Sequence, residues 1–297
     1  MPELPEVETV RRDLHEWLPT RQIASIKILH PRAVRRSSGP SLRSAKNPLI
    51  GGRVESVNRR GKFLWLAFDR PYALVIHLGM SGQVHLPEVP TSRSPHLRAR
   101  IEFLRGEREF HFIDQRTFGY LAAEEMTDDP FSLVATSRFI PASIAHIAPD
   151  LLEVFEGNRV QLSLAALNDR IRSRKSEIKR VLLNQNVVSG VGNIYADEGL
   201  WAAKIHPERP ASELSACEVQ RLLDELRAVM ARAITVGGTS LEDKQYRRVN
   251  GESGYFDIEL NAYAQDGEPC PRCGTLIQRL RFMNRSSHLC PNCQKKR

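Results

Sequence analysis

Four of the chain's five cysteines crowd its last 28 residues, as "CPRC" and "CPNC". The spacing is Cys270-x2-Cys273-x16-Cys290-x2-Cys293. Two CxxC knuckles supply the tetrahedral sulfur set that a structural zinc takes, with no position left open for a catalytic water. A redox role would need one such pair, not two at zinc-ribbon spacing. Between the knuckles, "LIQRLRFMNRSSHL" reads as a β-hairpin presenting Arg279, Arg281 and Arg285. The zinc would then be scaffolding for a basic fingertip. Cys217 stands apart in a helical stretch.

Three other stretches have residues suited to holding nucleic acid. In "SGVGNIYADEGL", Gly190 and Gly192 precede Asn193 and a helix-like run. Close backbone approach at a helix N-terminus makes an anion site, and phosphate is its natural guest. Upstream, "RIRSRKSEIKR" places Arg170, Arg172, Arg174 and Lys175 before Ile178, and Lys179 and Arg180 after it. Alone it is either a solvated basic helix or a DNA face; beside a glycine turn the DNA reading is favoured. In "HLGMSG" and "DQRTFG", Met80 and Phe118 lie in glycine-bounded turns. They are either core residues or turn tips fit to wedge into a base stack, with Arg116 filling a vacated base position. Lys62 follows Arg59 and Arg60 at the start of an apolar strand, where a phosphate contact competes with an ordinary strand start.

These residues need elements to position them. Residues 3–18 read as an amphipathic helix with Val7, Val10, Leu14 and Trp17 on one stripe and Pro5 in its first turn. A helix N-terminus accounts for Glu3, Glu6 and Glu8 electrostatically. From about 22 to 125 the period changes to two, in short strands broken by Gly, Pro and Asn. That pattern predicts a β-sandwich, with a mobile loop at 87–95. After "IPASIAHIAPD" the pattern is helical, and 215–236 is its best case. Ser215 and Glu218 form a capping box there, and Val219, Leu222, Leu223, Leu226, Met230 and Ile234 make one stripe that ends at Gly237.

Composition narrows the partners. Of 297 residues, 43 are Lys or Arg and 35 are acidic, giving +8 and a pI near 9.4. A polyanion, most often nucleic acid, suits that balance. No apolar run reaches the roughly 20 residues of a membrane span, and the start lacks a signal peptide's basic and apolar regions. The expectation is a soluble, intracellular protein without disulfides.

Taken in order, "PELPEVE", "HLGMSG", "GVGNIYADE" and the four-cysteine finger resemble the formamidopyrimidine-DNA glycosylase family, bacterial base-excision repair enzymes for oxidised purines. The resemblance covers essentially the whole chain. It implies an α+β protein in three parts: an N-terminal helix and β-sandwich at 1–140, a helix–two-turn–helix domain at 150–262, and a zinc finger at 263–297. A lesion-recognition loop falls at about 239–254. DNA would lie in the cleft between the domains.

The resemblance also implies roles. Removal of Met1 would leave Pro2 as a secondary amine that attacks the sugar, expels 8-oxoguanine or a formamidopyrimidine, and forms an imine. Glu3 matches the general acid/base and Glu6 a supporting carboxylate, while Glu8 keeps its helix-terminus role. Lys62 and Arg285 match the phosphate ligands that aid β- and δ-elimination. His77 and Asn193 match phosphate ligands around the lesion, and Arg174 a further DNA contact. Met80, Arg116 and Phe118 match the trio that fills the gap left by an extruded nucleotide. Ser94 and His96 compete for the position of a DNA-contacting histidine. Gln115 and Thr117 stand where many members have Pro and Arg.

The implied protein is a bifunctional glycosylase and abasic-site lyase acting on damaged duplex DNA. It would be a monomer, with one structural zinc and no organic cofactor, in the bacterial cytoplasm and nucleoid-associated when bound. The rival readings are a pyrimidine-directed, endonuclease VIII-like glycosylase and a non-catalytic zinc-ribbon DNA-binding protein.

Overall fold

The computed structural model describes residues 2–34, 39–44, 46–88, 94–106, 108–133, 138–157, 160–237, 249 and 260–296. The chain divides into two compact units. One comprises Met1–Pro130, Ser137–His146 and Gly237–Phe256; the other comprises Phe131–Thr136, Ile147–Val236 and Asp257–Arg297. Among the described residues, no helix is long and apolar enough to cross a membrane.

The first unit opens with helix α1, Leu4–Trp17, which has Pro5 in its first turn. Val7, Val10 and Leu14 are buried, but Trp17 is 42% exposed and its inward place is taken by Leu18. The expected stripe therefore ends one residue later than its spacing indicated. A 3.6-residue period carries position 18, not 17, back to the face of 7 and 14. Arg108 lies over the Trp17 ring instead, 4.1 Å from its centroid.

Two antiparallel sheets follow. The five-stranded sheet has β2 (Val54–Arg60), β3 (Phe63–Phe68), β4 (Arg70–His77), β8 (Tyr120–Asp128) and β9 (Phe139–Pro141) in that spatial order. The four-stranded sheet runs β1 (Ile23–Ile28), β6 (Leu97–Phe103), β7 (Phe110–Asp114) and β5 (Gly82–His85). Leu64, Leu66, Leu74, Ile76 and Leu121 from one share a core with Ile23, Val84, Ile101, Phe110 and Phe112 from the other, and α1 adds its stripe. The apolar alternation of the strands thus builds a β-sandwich. Trp65 and Val75, buried on the opposite face of β3 and β4, explain why "KFLWLAF" and "ALVIHL" are apolar throughout.

The second unit is helical: α2 (Leu151–Glu156), α3 (Leu164–Arg172), α4 (Ile178–Leu182), α5 (Asn193–Ala202) and α6 (Ala216–Thr235). α6 carries the predicted Ser215–Glu218 capping box and buries the whole predicted stripe. The basic run is not one helix, because α3 ends at Arg172 and α4 begins at Ile178. Between α4 and α5 the chain makes a double turn braced by Gln185. Its side chain donates to Leu183 O and Val191 O and accepts from Gly190 N. Ile194–Leu200 of α5 is buried all round, and a Cβ on Gly199 would collide with Leu226 of α6. The chain ends in a hairpin, β10 (Gln278–Phe282) and β11 (Arg285–Leu289), joined at Met283 and Asn284.

Most of the expected lesion-recognition loop, 239–254, lies outside the described residues, as does most of the loop at 87–95. Val249 is described: it is buried in the sandwich core, and its carbonyl accepts Leu86 N at 2.8 Å.

Candidate functional site

In the first unit, strand register gathers the candidate residues. Phe63 of β3 pairs with His77 of β4, and His77 with Tyr120 of β8. Lys62, the "HLGMSG" turn and the "DQRTFG" turn therefore sit at one end of the five-stranded sheet. β2 reaches the same end through the Arg60–Phe63 pair. Glu8 of α1 accepts Arg59 Nε there at 2.9 Å, over 51 residues of sequence. The amino-terminal helix is thus pinned to the end that holds Lys62.

The acidic start of α1 has several duties. Pro2 is buried, and Glu3, 2% exposed, is the N-cap. The Glu3 N–H donates to Glu6 Oε2 at 2.8 Å, completing a capping box. Glu3 thus has a place at the helix terminus whatever its part in chemistry. Glu8, expected only to favour the helix terminus, is a buried hub. Its carboxylate accepts from Arg11 (2.9 Å), Arg12 (3.0 Å) and Arg59 (2.9 Å). Burial would raise its pKa, but the Arg11 hydrogen bond and the Arg59 and Arg11 charges outweigh it and hold the group at about 2.

Those pairings separate Lys62 from its two basic neighbours. Arg59 is claimed by Glu8, and Arg60, fully buried, pairs with Asp129 at 2.6 Å. Neither arginine is a surface phosphate ligand. Lys62 is half-buried in the turn where Gly61 takes φ 57°, just before β3. His77 packs between the rings of Phe63 (4.9 Å) and Tyr120 (5.3 Å), and its Nδ1 accepts Gly79 N at 3.1 Å.

Met80 and Phe118 are 45% and 48% exposed, so neither is a core residue. Arg116 is exposed, and its guanidinium has no partner among the described residues. His96 accepts Asp114 N through its carbonyl at 2.9 Å, and its Nδ1 lies 3.3 Å from Arg98 Nη2. Ser94 serves this turn by accepting His96 N at 3.2 Å.

In the second unit, Asn193 and the hairpin come together. Asn193 Nδ2 donates to Ser286 O at 3.0 Å, next to exposed Arg285, while its Oδ1 is buried without a partner. Lys179 Nζ donates to the same carbonyl at 3.1 Å and to Asp197 Oδ1 at 2.6 Å. Lys179 is fully buried, which removes it from any DNA face. Arg174, by contrast, is exposed in the turn after α3.

Sequence reasoning missed the posts that hold this hairpin. Asp197 also accepts Ser287 Oγ (2.9 Å), His288 N (2.9 Å) and His288 Nδ1 (3.2 Å). Its neighbour Glu198 accepts the backbone N–H groups of Asn261, Ala262 and Tyr263 at 2.8–3.1 Å. A signal was present: two adjacent acids inside the otherwise apolar run "IYADEGLWA". Acids in a helix that is buried all round need internal donors.

The four cysteine sulfurs lie within 4.8 Å of one another. A tetrahedral zinc with Zn–S of about 2.3 Å needs sulfur–sulfur edges of about 3.8 Å. Cys273 Sγ is 3.5 Å from Cys290 Sγ and from Cys293 Sγ, so the set fits the ion. Hydrogen bonds from Thr275 and Asn292 pull the Cys273 thiol down to about 5, while burial pushes Cys290 up to about 12. A divalent cation removes that conflict by holding all four as thiolates. Trp201 Nε1 donates to Cys270 Sγ at 3.4 Å, docking the cluster on α5. The finger is a structural zinc centre.

Comparison with known proteins agrees along the chain. The model of the formamidopyrimidine-DNA glycosylase N-terminal domain matches residues 1–121, and that of its H2TH domain matches 155–245. The zinc finger found in FPG and IleRS matches 267–296. A formamidopyrimidine-DNA glycosylase of Corynebacterium glutamicum is 49% identical over 305 residues, covering 100% of both chains. A Lactococcus lactis FPG mutant, solved with Fapy-dG-containing DNA, superposes with TM-score 0.81 at 31% identity, covering 99% of this chain and 100% of that one. The wild-type Lactococcus lactis protein, solved with DNA containing an oxidised pyrimidine, gives 0.80 at 31% identity over the same shares. With whole-chain identity of this order and three family models in sequence, the chain belongs to the formamidopyrimidine-DNA glycosylase family.

Proposed function

We propose that this protein excises oxidised purines, 8-oxoguanine and formamidopyrimidines, from duplex DNA and then cleaves the abasic site by β,δ-elimination. The observation that carries this reading is the gathering of Lys62, His77, Met80, Arg116 and Phe118 at one end of a sheet to which α1 is pinned. With Met1 removed, Pro2 is a secondary amine. An α-amino group has a pKa of about 7.7–8.0, so a neutral fraction exists at pH 7. The Pro2 nitrogen bonds to sugar C1′ as the bond from C1′ to the base breaks, and the base leaves with a proton. Glu3, the general acid/base, protonates the ring oxygen as the sugar opens to the imine. Loss of a C2′ proton then expels the 3′ phosphate, and a second elimination expels the 5′ phosphate.

Lys62 and Arg285 neutralise those leaving phosphates, and Glu6 supports the amine by holding the Glu3 N–H. His77, His96, Arg174 and Asn193 contact DNA, while Met80, Arg116 and Phe118 fill the vacated position. Residues 1–140 then carry the chemistry, 150–262 bind DNA and read the lesion through 239–254, and 263–297 present Arg285 on zinc. The protein works as a monomer on nucleoid DNA in the bacterial cytoplasm. Action on oxidised pyrimidines is a second reading, favoured by the pyrimidine-lesion complex of the Lactococcus relative.

Borohydride trapping on a duplex panel of purine and pyrimidine lesions tests this. A covalent adduct at Pro2 is expected. Pro2→Gly should weaken trapping, and Glu3→Gln should abolish base release while DNA binding persists. Unchanged turnover in Glu3→Gln would refute the assignment.

A further inference from the structure

A buried carboxylate that forms no ion pair among the described residues sits beneath the two turns that carry the gap-filling trio. Asp114, fully buried at the end of β7, accepts Ser81 Oγ at 2.6 Å, Gly119 N at 2.7 Å and Arg116 N at 3.2 Å. These donors are chosen by position. Ser81 follows Met80, Gly119 follows Phe118, and Arg116 is itself the third member. Ser81 Oγ also accepts Arg116 N at 3.1 Å, so hydroxyl and carboxylate cross-link both turns.

The turns leave no slack around this link. Cβ atoms on Gly79 or Gly119 would collide with backbone of the facing turn, so no other residue allows the approach. Thr117 holds φ 56°, which is uncommon for a β-branched residue. Such strain persists only where the surroundings over-determine it. Asp114 is fixed from behind as well: its N–H donates to His96 O at 2.9 Å, and its carbonyl accepts Arg98 Nε at 2.7 Å. The two half-exposed apolar tips, Met80 and Phe118, thus stand on a fixed base.

We propose that Asp114, acting with Ser81, is the positioning residue of the base-extrusion wedge: one carboxylate sets the mutual placement of Met80, Arg116 and Phe118. This rests on the reading of that trio as gap fillers. Wedging into a stack works against unstacking, which costs a few kcal/mol per step, so tips that yield would transmit none of it. Asp114→Asn keeps the shape but puts an NH2 group against donors that need an acceptor.

The experiment is single-turnover base release from a duplex with a paired 8-oxoguanine, with 2-aminopurine beside the lesion reporting extrusion. A preformed abasic site opposite a gap, where little unstacking remains, is run in parallel. Asp114→Asn should slow extrusion and base release from the paired lesion about tenfold or more, as loss of a charge-assisted hydrogen bond does. Cleavage at the gapped abasic site should change less than about twofold. Phe118→Ala combined with Asp114→Asn should be no slower than the slower single variant, because both act through one step. Ser81→Ala should show the same pattern in weaker form, and it carries the test if Asp114→Asn does not fold. Equal slowing on both substrates, or multiplicative losses in the double variant, overturns the proposal. If Phe118→Ala alone leaves paired-lesion release unchanged, the gap-filling reading fails instead, whatever Asp114→Asn does.

Discussion

Lys179→Met tests whether the finger is held by its docking as well as by its metal. Lys179 and Asp197 are both at most 1% exposed and 2.6 Å apart. Removing one partner of a buried pair leaves the other charge uncompensated, at a cost of about 3–5 kcal/mol. Three donors from Ser287 and His288 still serve Asp197, and Asn193 Nδ2 still serves Ser286 O, so the lower end applies, about 3 kcal/mol. For a unit of this size that lowers the melting temperature by roughly 6–12 °C. Adding Asp197→Asn removes the stranded charge yet keeps an acceptor, and should restore about half of the loss. Zinc content, read by atomic absorption, should stay at one per chain, because the four thiolates are untouched. Salt titration of DNA binding should nonetheless show a shallower slope, since Arg285 neighbours the carbonyl that Lys179 held. A melting shift below about 2 °C, or no recovery in the double variant, would show that the pair is not what anchors β11.

Glu8 makes acid stability testable. Its carboxyl is depressed from 4.5 to about 2, so its contribution, about 3 kcal/mol, is full above pH 4.5 and is lost as pH falls toward 2. Glu8→Gln should therefore lower stability at neutral pH and flatten the stability curve between those limits, as read by urea melts across pH. Cys273→Ser should abolish zinc binding and weaken DNA affinity, and cobalt in the wild-type finger should give a tetrahedral thiolate spectrum; a metal-free preparation with full activity would contradict this. Arg285→Ala should flatten the salt dependence by about one phosphate contact and weaken damaged and undamaged duplex alike, whereas Phe118→Ala should leave the slope unchanged. If the two variants behave alike in that titration, Phe118 is not a wedge.

The cysteine knuckles, α6 and the two glycine-bounded turns were legible because each is specified within a short window. Ser215 and Glu218 are three residues apart and meet as a cap, and the strand alternation survives as burial. What the sequence concealed is ionic pairing across distance. Glu8 and Arg59 are 51 residues apart, Arg60 and Asp129 are 69, and Lys179 and Asp197 are 18. Nothing local marks a basic residue as internally claimed, so neither "RRGK" nor "RIRSRKSEIKR" shows which of its cations an acid holds. The fold sorts them. Arg59, Arg60 and Lys179 are buried against acids. Arg116, Arg174, Arg281 and Arg285 are exposed, and their guanidinium groups have no partner among the described residues. A charge already neutralised releases no counterion when DNA binds, so the second set contributes to a salt slope and the first does not. The net charge of +8 names the kind of partner, and the buried acids decide which cations meet it.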